Sequence, residues 1–156
     1  MKLIGKGAFT KAYLLDDGKV QLNSCCPIKE AMAHGWFPES YLFPLIEAVD
    51  SEVYLMDYLP RVRAPKAQLN DRAYSLYKLL QTAVGNNYFD LYKWFDSNLI
   101  GWDEKEVILE ALDACSNYGT DIGFEISPRN ISVTESGDLV MADCFFHIPT
   151  LRGLRK

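Results

Sequence analysis

The chain has no long apolar run, few histidines and no surplus of positive charge, and each shortage removes a class of function. No stretch reaches the roughly 18–20 apolar residues that span a bilayer, and Met1-Lys2-Leu3-Ile4 runs directly into glycines instead of a signal-peptide core. The expectation is a cytoplasmic place and no membrane partner. Two histidines, His34 and His147, accompany four cysteines, Cys25, Cys26, Cys115 and Cys144, and no pair of them has Cys-x-x-Cys spacing. No zinc pattern can be built from that set. Cys25 and Cys26 are adjacent and do not readily bridge each other, so buried free thiols in a reducing compartment are expected. Sixteen Lys and Arg against 21 Asp and Glu give a formal charge of −5. The cations are dispersed, apart from Arg152, Arg155 and Lys156, and direct nucleic-acid binding is not expected.

What is present suits a packed globule: 49% hydrophobic residues, 24% charged, and aromatics spread from Phe9 to Phe146. At 156 residues one domain is expected, with residues 1–58 and 59–156 as its two lobes. The first part reads as strands with one helix, the rest as mostly helical until a late strand pair, an α+β order. Lys11 to Asn23 forms two short strands joined at Asp17-Gly18, a dipeptide that tolerates a tight hairpin turn. Pro27 stands at a first helical position, with a helix over 28–34 ending at Gly35. Strands follow near 45–49 and over 53–58. Ala73, Leu76, Tyr77, Leu80, Ala83 and Val84 recur at helical spacing up to Gly85. Asp103 and Glu106 read as a capping pair for a helix whose apolar face is Val107, Ile108, Ala111, Leu112 and Cys115. Strands at 131–133 and 139–142 flank Ser136-Gly137-Asp138 as a second hairpin.

Four segments carry candidate chemistry. IGKGAFTKAYLL is a strand, a Gly-x-Gly turn and a strand, and glycines there let backbone N–H groups approach a phosphate without a Cβ in the way. By itself it reads as an ordinary glycine-containing hairpin. SEVYLMDYLP, FEISPRNISV and LVMADCFF follow it in order. Asn130 lies five residues after Glu125, and Asp143 thirteen after Asn130.

Together these segments resemble the protein kinase superfamily, over residues 4–146. Gly5, Gly7, Phe9, Ala12 and Tyr13 fill the glycine-loop pattern, with Thr10 in place of the third glycine. Met56 stands at the gate of the adenine site, with Asp57, Tyr58 and Leu59 along the hinge. Glu125 takes the place of the catalytic aspartate, and Asn130 that of the catalytic-loop asparagine. Asp143 takes that of the Asp-Phe-Gly aspartate. The helix over 103–118 stands where a kinase places the one before its catalytic loop. Within the superfamily the chain is similar to the early Ser/Thr protein kinase of lytic tailed phages, through the Gly5–Tyr13 loop, Gly101-Trp102-Asp103 and Asn130-Ile131.

The resemblance implies an α+β, kinase-like fold: a small antiparallel sheet lobe with one helix and a reduced helical lobe. It implies ATP and Mg2+ as cofactors, with Asn130 and Asp143 as metal ligands and Glu125 and Asn130 as catalytic residues. A host cytoplasmic protein, part of the transcription or translation machinery, is the implied partner. The sequence departs from the family where the third-strand lysine should hold the α- and β-phosphates, because Leu22 or Asn23 stands there. Lys6 or Lys11 could supply that charge. Lys29 is the least favoured, lying beside Glu30, which fits the partner glutamate, on a different helix face. Ser127 replaces a common lysine, Cys144-Phe145 replace Phe-Gly, and a protein-substrate platform must be missing or built from residues 60–102.

Three functions fit: an atypical Ser/Thr kinase, a pseudokinase that binds and inhibits a host protein, and, third, a small-molecule phosphotransferase. The third lacks its usual histidine and aspartate before the asparagine. Transfer is expected to be slow or absent, because the transition state depends on fixed positive charge.

Overall fold

Alternation of apolar and polar residues builds the sheet. In the computed structural model, which describes residues 1–154, β3 (Lys19–Ser24) buries Val20, Leu22 and Ser24 and turns Lys19, Gln21 and Asn23 the other way. That is the period of two of a strand with one covered face. β3 pairs with β2 (Thr10–Leu14), which pairs with β1 (Lys2–Lys6). On its other side it pairs with β5 (Val53–Asp57), which pairs with β4 (Glu47–Asp50). The sheet is five-stranded and antiparallel, in the order β1-β2-β3-β5-β4. Gly18, at φ +85°, closes the β2–β3 turn as the Asp-Gly pair predicts.

Helix α1 (Pro27–Ala33) begins on Pro27 and stops before Gly35, whose φ of +75° favours glycine. It packs against β9 (Phe145–His147) of the second half. Between α1 and β4, Leu42 is fully buried and its carbonyl accepts from Met141 N–H at 2.6 Å, joining the two halves by a backbone bond.

The second half holds α2 (Pro65–Gln68), α3 (Asp71–Leu80), α4 (Tyr88–Asn98) and α5 (Lys105–Cys115). Two of these correct the sequence reading. α3 starts where Asn70 accepts from Ala73 N–H and ends at Leu80, where its buried face of Ala73, Leu76, Tyr77 and Leu80 is complete, so it does not run on to Val84, which is exposed. α4 was not anticipated; its buried stripe is only Leu91 and Phe95, with Leu99 one turn beyond, among exposed aromatics that blur the period. The Asp103–Glu106 capping pair does not form. Glu104 is the residue at the helix start, and its carboxylate is buried against Arg72 and Tyr41.

After α5, β6 (Ile122–Phe124) pairs with β9, and β7 (Ser132–Val133) with β8 (Leu139–Val140). Gly123 lies opposite Phe146, and a Cβ there would stand 2.2 Å from the Phe146 ring. Helix α6 (Ile148–Leu154) follows, and Arg155 and Lys156 of the basic tail lie outside the described residues. One hydrophobic cluster runs from Val20 and Leu22 through Leu42, Leu76 and Ile108 to Leu139 and Phe145, so both halves share a core. All four cysteines are free; Cys26, Cys115 and Cys144 are buried and Cys25 is partly so. No described helix is long and apolar enough to cross a membrane.

Candidate functional site

Glu125, Asn130 and Asp143, eighteen residues apart at their ends, are brought together by backbone bonds between two segments. Asp143 N–H donates to Asn130 O at 3.0 Å, and Glu125 N–H to Cys144 O at 2.9 Å. The intervening 3₁₀ turn, Pro128–Asn130, is fixed by a reciprocal cap. Asn130 Oδ1 accepts from Ser127 N–H at 3.0 Å and from Ser127 Oγ–H at 2.6 Å, while Asn130 Nδ2 donates to Glu125 O at 3.2 Å. Serine in place of the expected lysine is thus what locks the loop. Glu125 is exposed.

The cation beside Asp143 comes from an element the sequence reading ranked last. Lys29, on α1, is buried, and its Nζ lies 3.0 Å from Asp143 Oδ1 and donates to Ala142 O at 2.9 Å. Its side chain is 4% exposed against 42% for that of Asp143. The buried face of α1 is Ile28, Lys29, Ala31 and Met32, so Lys29 points inward with Met32 one turn on. Glu30 points outward, is exposed and lies 3.4 Å from His34 Nε2. Both the assignment of Glu30 as partner glutamate and the low rank of Lys29 are therefore corrected. The signal was available: Lys29 and Met32 are three residues apart on one helix face, whereas the expectation judged Lys29 only by its neighbour Glu30. In β3 the inward position that lacks a lysine, Leu22, belongs to the core.

The glycine turn reaches this region through Phe9. Gly7 N–H donates to Thr10 O at 2.8 Å, and Phe9 O accepts from Cys25 N–H at 3.2 Å. The Phe9 ring lies 6.1 Å from that of Phe146, three residues past Asp143. A Cβ at Gly7 would meet nothing within 4 Å, and at Gly5 only Ala12 Cβ at 3.6 Å. Internal sterics therefore do not demand glycine at either place. Lys6 and Lys11 are cross-strand partners, both exposed.

The hinge is the end of β5. Met56 is half-buried opposite Val20, and Asp57 is exposed, its carboxylate 2.6 Å from Lys19 Nζ. Leu59 is half-buried in the linker, which continues to a bridge between Arg61 and Ser132. Burial pushes the Cys144 thiol well above its ordinary range, and the neighbouring Asp143 carboxylate pushes the same way.

Magnesium fits this arrangement poorly. Both lone pairs of Asn130 Oδ1 are engaged by Ser127, and Asp143 Oδ1 is paired with Lys29, which leaves Asp143 Oδ2. Among the described residues no group of three or more His, Cys, Asp or Glu side chains is placed to hold a metal ion. A metal on Asn130 Oδ1 would have to displace the loop's own cap.

The order of elements is a five-stranded antiparallel sheet with a helix after the third strand, a linker, then helices leading to a loop and a strand pair, the α+β arrangement expected from the sequence. No family model matches the chain, and no curated protein matches it. Among solved structures it is similar to a ternary complex of APH(2'')-IIa with streptomycin and ATP, at 15% identity and a TM-score of 0.41, over 93% of this chain and 66% of that one. That likeness is too distant to carry the role of any residue.

Proposed function

We propose that the chain is a degenerate kinase-like module that binds ATP between the glycine turn and the Glu125–Asp143 loop, with Lys29 as the fixed cation of the site. The observation that carries this reading is the buried Lys29–Asp143 pair at 3.0 Å, with Phe146, three residues past Asp143, beside Phe9 of a turn whose glycines have no internal steric reason to be glycine. Gly5 and Gly7 would present N–H groups to phosphate, Lys6 and Lys11 would add charge at the rim, and Met56, Asp57 and Leu59 would border the base. A lysine already beside the aspartate reduces the need for a divalent cation, so nucleotide binding should persist without magnesium.

Phosphate transfer, to a serine or threonine of a host cytoplasmic protein as the phage-kinase resemblance implies, is then slow or absent. Lys29 is committed to Asp143, and Glu125 is one methylene longer than the aspartate that would orient a hydroxyl; a misplacement near 1 Å can cost about a hundredfold. The pseudokinase reading is favoured by the same closed Ser127–Asn130 cap.

The test is ATP titration by thermal shift and calorimetry, with magnesium and with EDTA, on wild type and Lys29→Met, alongside a turnover assay on both. Wild type should bind in both buffers, and Lys29→Met should lose roughly tenfold or more, the size of one lost charged contact. Absence of ATP binding in every buffer overturns the nucleotide reading. Binding that requires magnesium and is untouched in Lys29→Met overturns the role of Lys29, and brisk turnover overturns the degenerate one.

A further inference from the structure

Read along the chain the cations are dispersed, but the fold gathers five of them on one side of the linker. Arg61, Arg63 and Arg129 line a cleft of about 360 Å³ together with Val62 and Pro128. Pro128 also borders an adjoining hollow of about 500 Å³, flanked by Lys66 and Lys78 and floored by Tyr74 and Tyr77. All five cations are exposed, and among the described residues none is within ion-pair distance of a carboxylate. The chain's formal charge is −5, so everything outside this groove sums to −10.

The backbone beneath the groove is braced. Gln68 Oε1 accepts from Arg63 N–H at 2.6 Å and Ala64 N–H at 2.8 Å, and its Nε2 donates to Arg61 O at 3.2 Å. Arg61 bridges Ser132, and Arg129 sits in the capped turn that ends at Asn130. Three guanidinium groups on fixed backbone beside an apolar, tyrosine-floored hollow form a prearranged anion surface with a socket, which lowers the ordering cost of binding.

We infer that this groove docks a short acidic segment of a partner protein, its carboxylates on Arg61, Arg63 and Arg129 and an aromatic or aliphatic side chain in the hollow over Tyr74 and Tyr77. A short segment fits better than a nucleic acid, because the rest of the chain carries a formal charge of −10 and repels a long polyanion. This deepens the reading above by naming the partner's chemistry: Arg129 adjoins Asn130, so a segment held here lies beside the candidate catalytic loop. Its test uses no nucleotide, so the two readings fail separately.

The probe is a fluorescein-labelled decapeptide of Glu and Asp around one Trp, with a Gln/Asn counterpart and a single-stranded oligonucleotide as comparisons, read by anisotropy. The acidic peptide should bind wild type, weaken as salt rises, and lose roughly tenfold or more with Arg61→Ala/Arg63→Ala. Lys93→Ala, a cation on α4 outside the groove, should bind normally, and circular dichroism should show every variant folded. The inference is overturned if the acidic peptide does not bind, if Lys93→Ala weakens it as much as the arginine pair, or if the Gln/Asn peptide binds equally. Tighter binding of the oligonucleotide overturns it too and assigns the surface to nucleic acid.

Discussion

Removing either partner of the Lys29–Asp143 pair should cost very different amounts of stability. The Lys29 side chain is 4% exposed and that of Asp143 is 42% exposed. Asp143→Ala leaves a buried ammonium with only Ala142 O beside it, and an uncompensated buried charge costs roughly 3–5 kcal/mol. Lys29→Met keeps much of the apolar stem's packing among Ile28 and Met32 and leaves a half-exposed carboxylate that water can solvate, a loss nearer 1 kcal/mol. For a chain of this size 1 kcal/mol moves Tm by about 2–4 °C, so Asp143→Ala should fall by about 6–20 °C and Lys29→Met by only a few degrees. The double variant removes the stranded charge and should be more stable than Asp143→Ala alone, a coupling that a double-mutant cycle measures by chemical denaturation. If Lys29→Met is as damaging as Asp143→Ala, or the double variant is no better than Asp143→Ala, the ammonium is not held as described and its place in the nucleotide site fails with it.

Two further outcomes follow from particular contacts. Burial pushes the Glu104 carboxyl up, but its hydrogen bonds from Arg72 and Tyr41 outweigh that and hold it below its ordinary value of 4.5. A depressed folded pKa means the stabilisation is present above the unfolded value and lost as pH falls through the folded one, so wild type should lose stability on acidification below about pH 4.5. Glu104→Gln should flatten that part of the pH–stability curve, and an unchanged slope refutes the assignment. Gly123→Ala places a Cβ at 2.2, 2.6 and 2.7 Å from three Phe146 ring atoms, so the ring must swing away at a cost of about 1–3 kcal/mol. Denaturant midpoints should show that loss and its partial recovery in Gly123→Ala/Phe146→Ala, whereas an unchanged midpoint in the single variant contradicts the close approach.

Local chemistry was legible in the sequence wherever one residue type forces one backbone outcome. Asp17-Gly18 gave the hairpin whose strands, read over residues 11–23, are β2 and β3, and Pro27 and Gly35 bounded α1. Glu125, Asn130 and Asp143 were singled out by a family resemblance, and backbone bonds between their two segments bring them together. What spacing cannot carry is the direction of a side chain relative to elements far along the chain. Lys29 meets Asp143 across 113 residues of separation from Ala142, and only the packing of α1 on β9 turned it inward and Glu30 outward. The same holds for Glu104, which no spacing singled out and which is bonded to Arg72 and Tyr41, and for the five dispersed cations that share one groove. Sequence determined which elements form and which loop carries the candidate chemistry, because those depend on propensity and period. Tertiary structure decided which charges are paired, which are left open and what each one faces, because burial and Coulomb contact depend on distance in space and not along the chain.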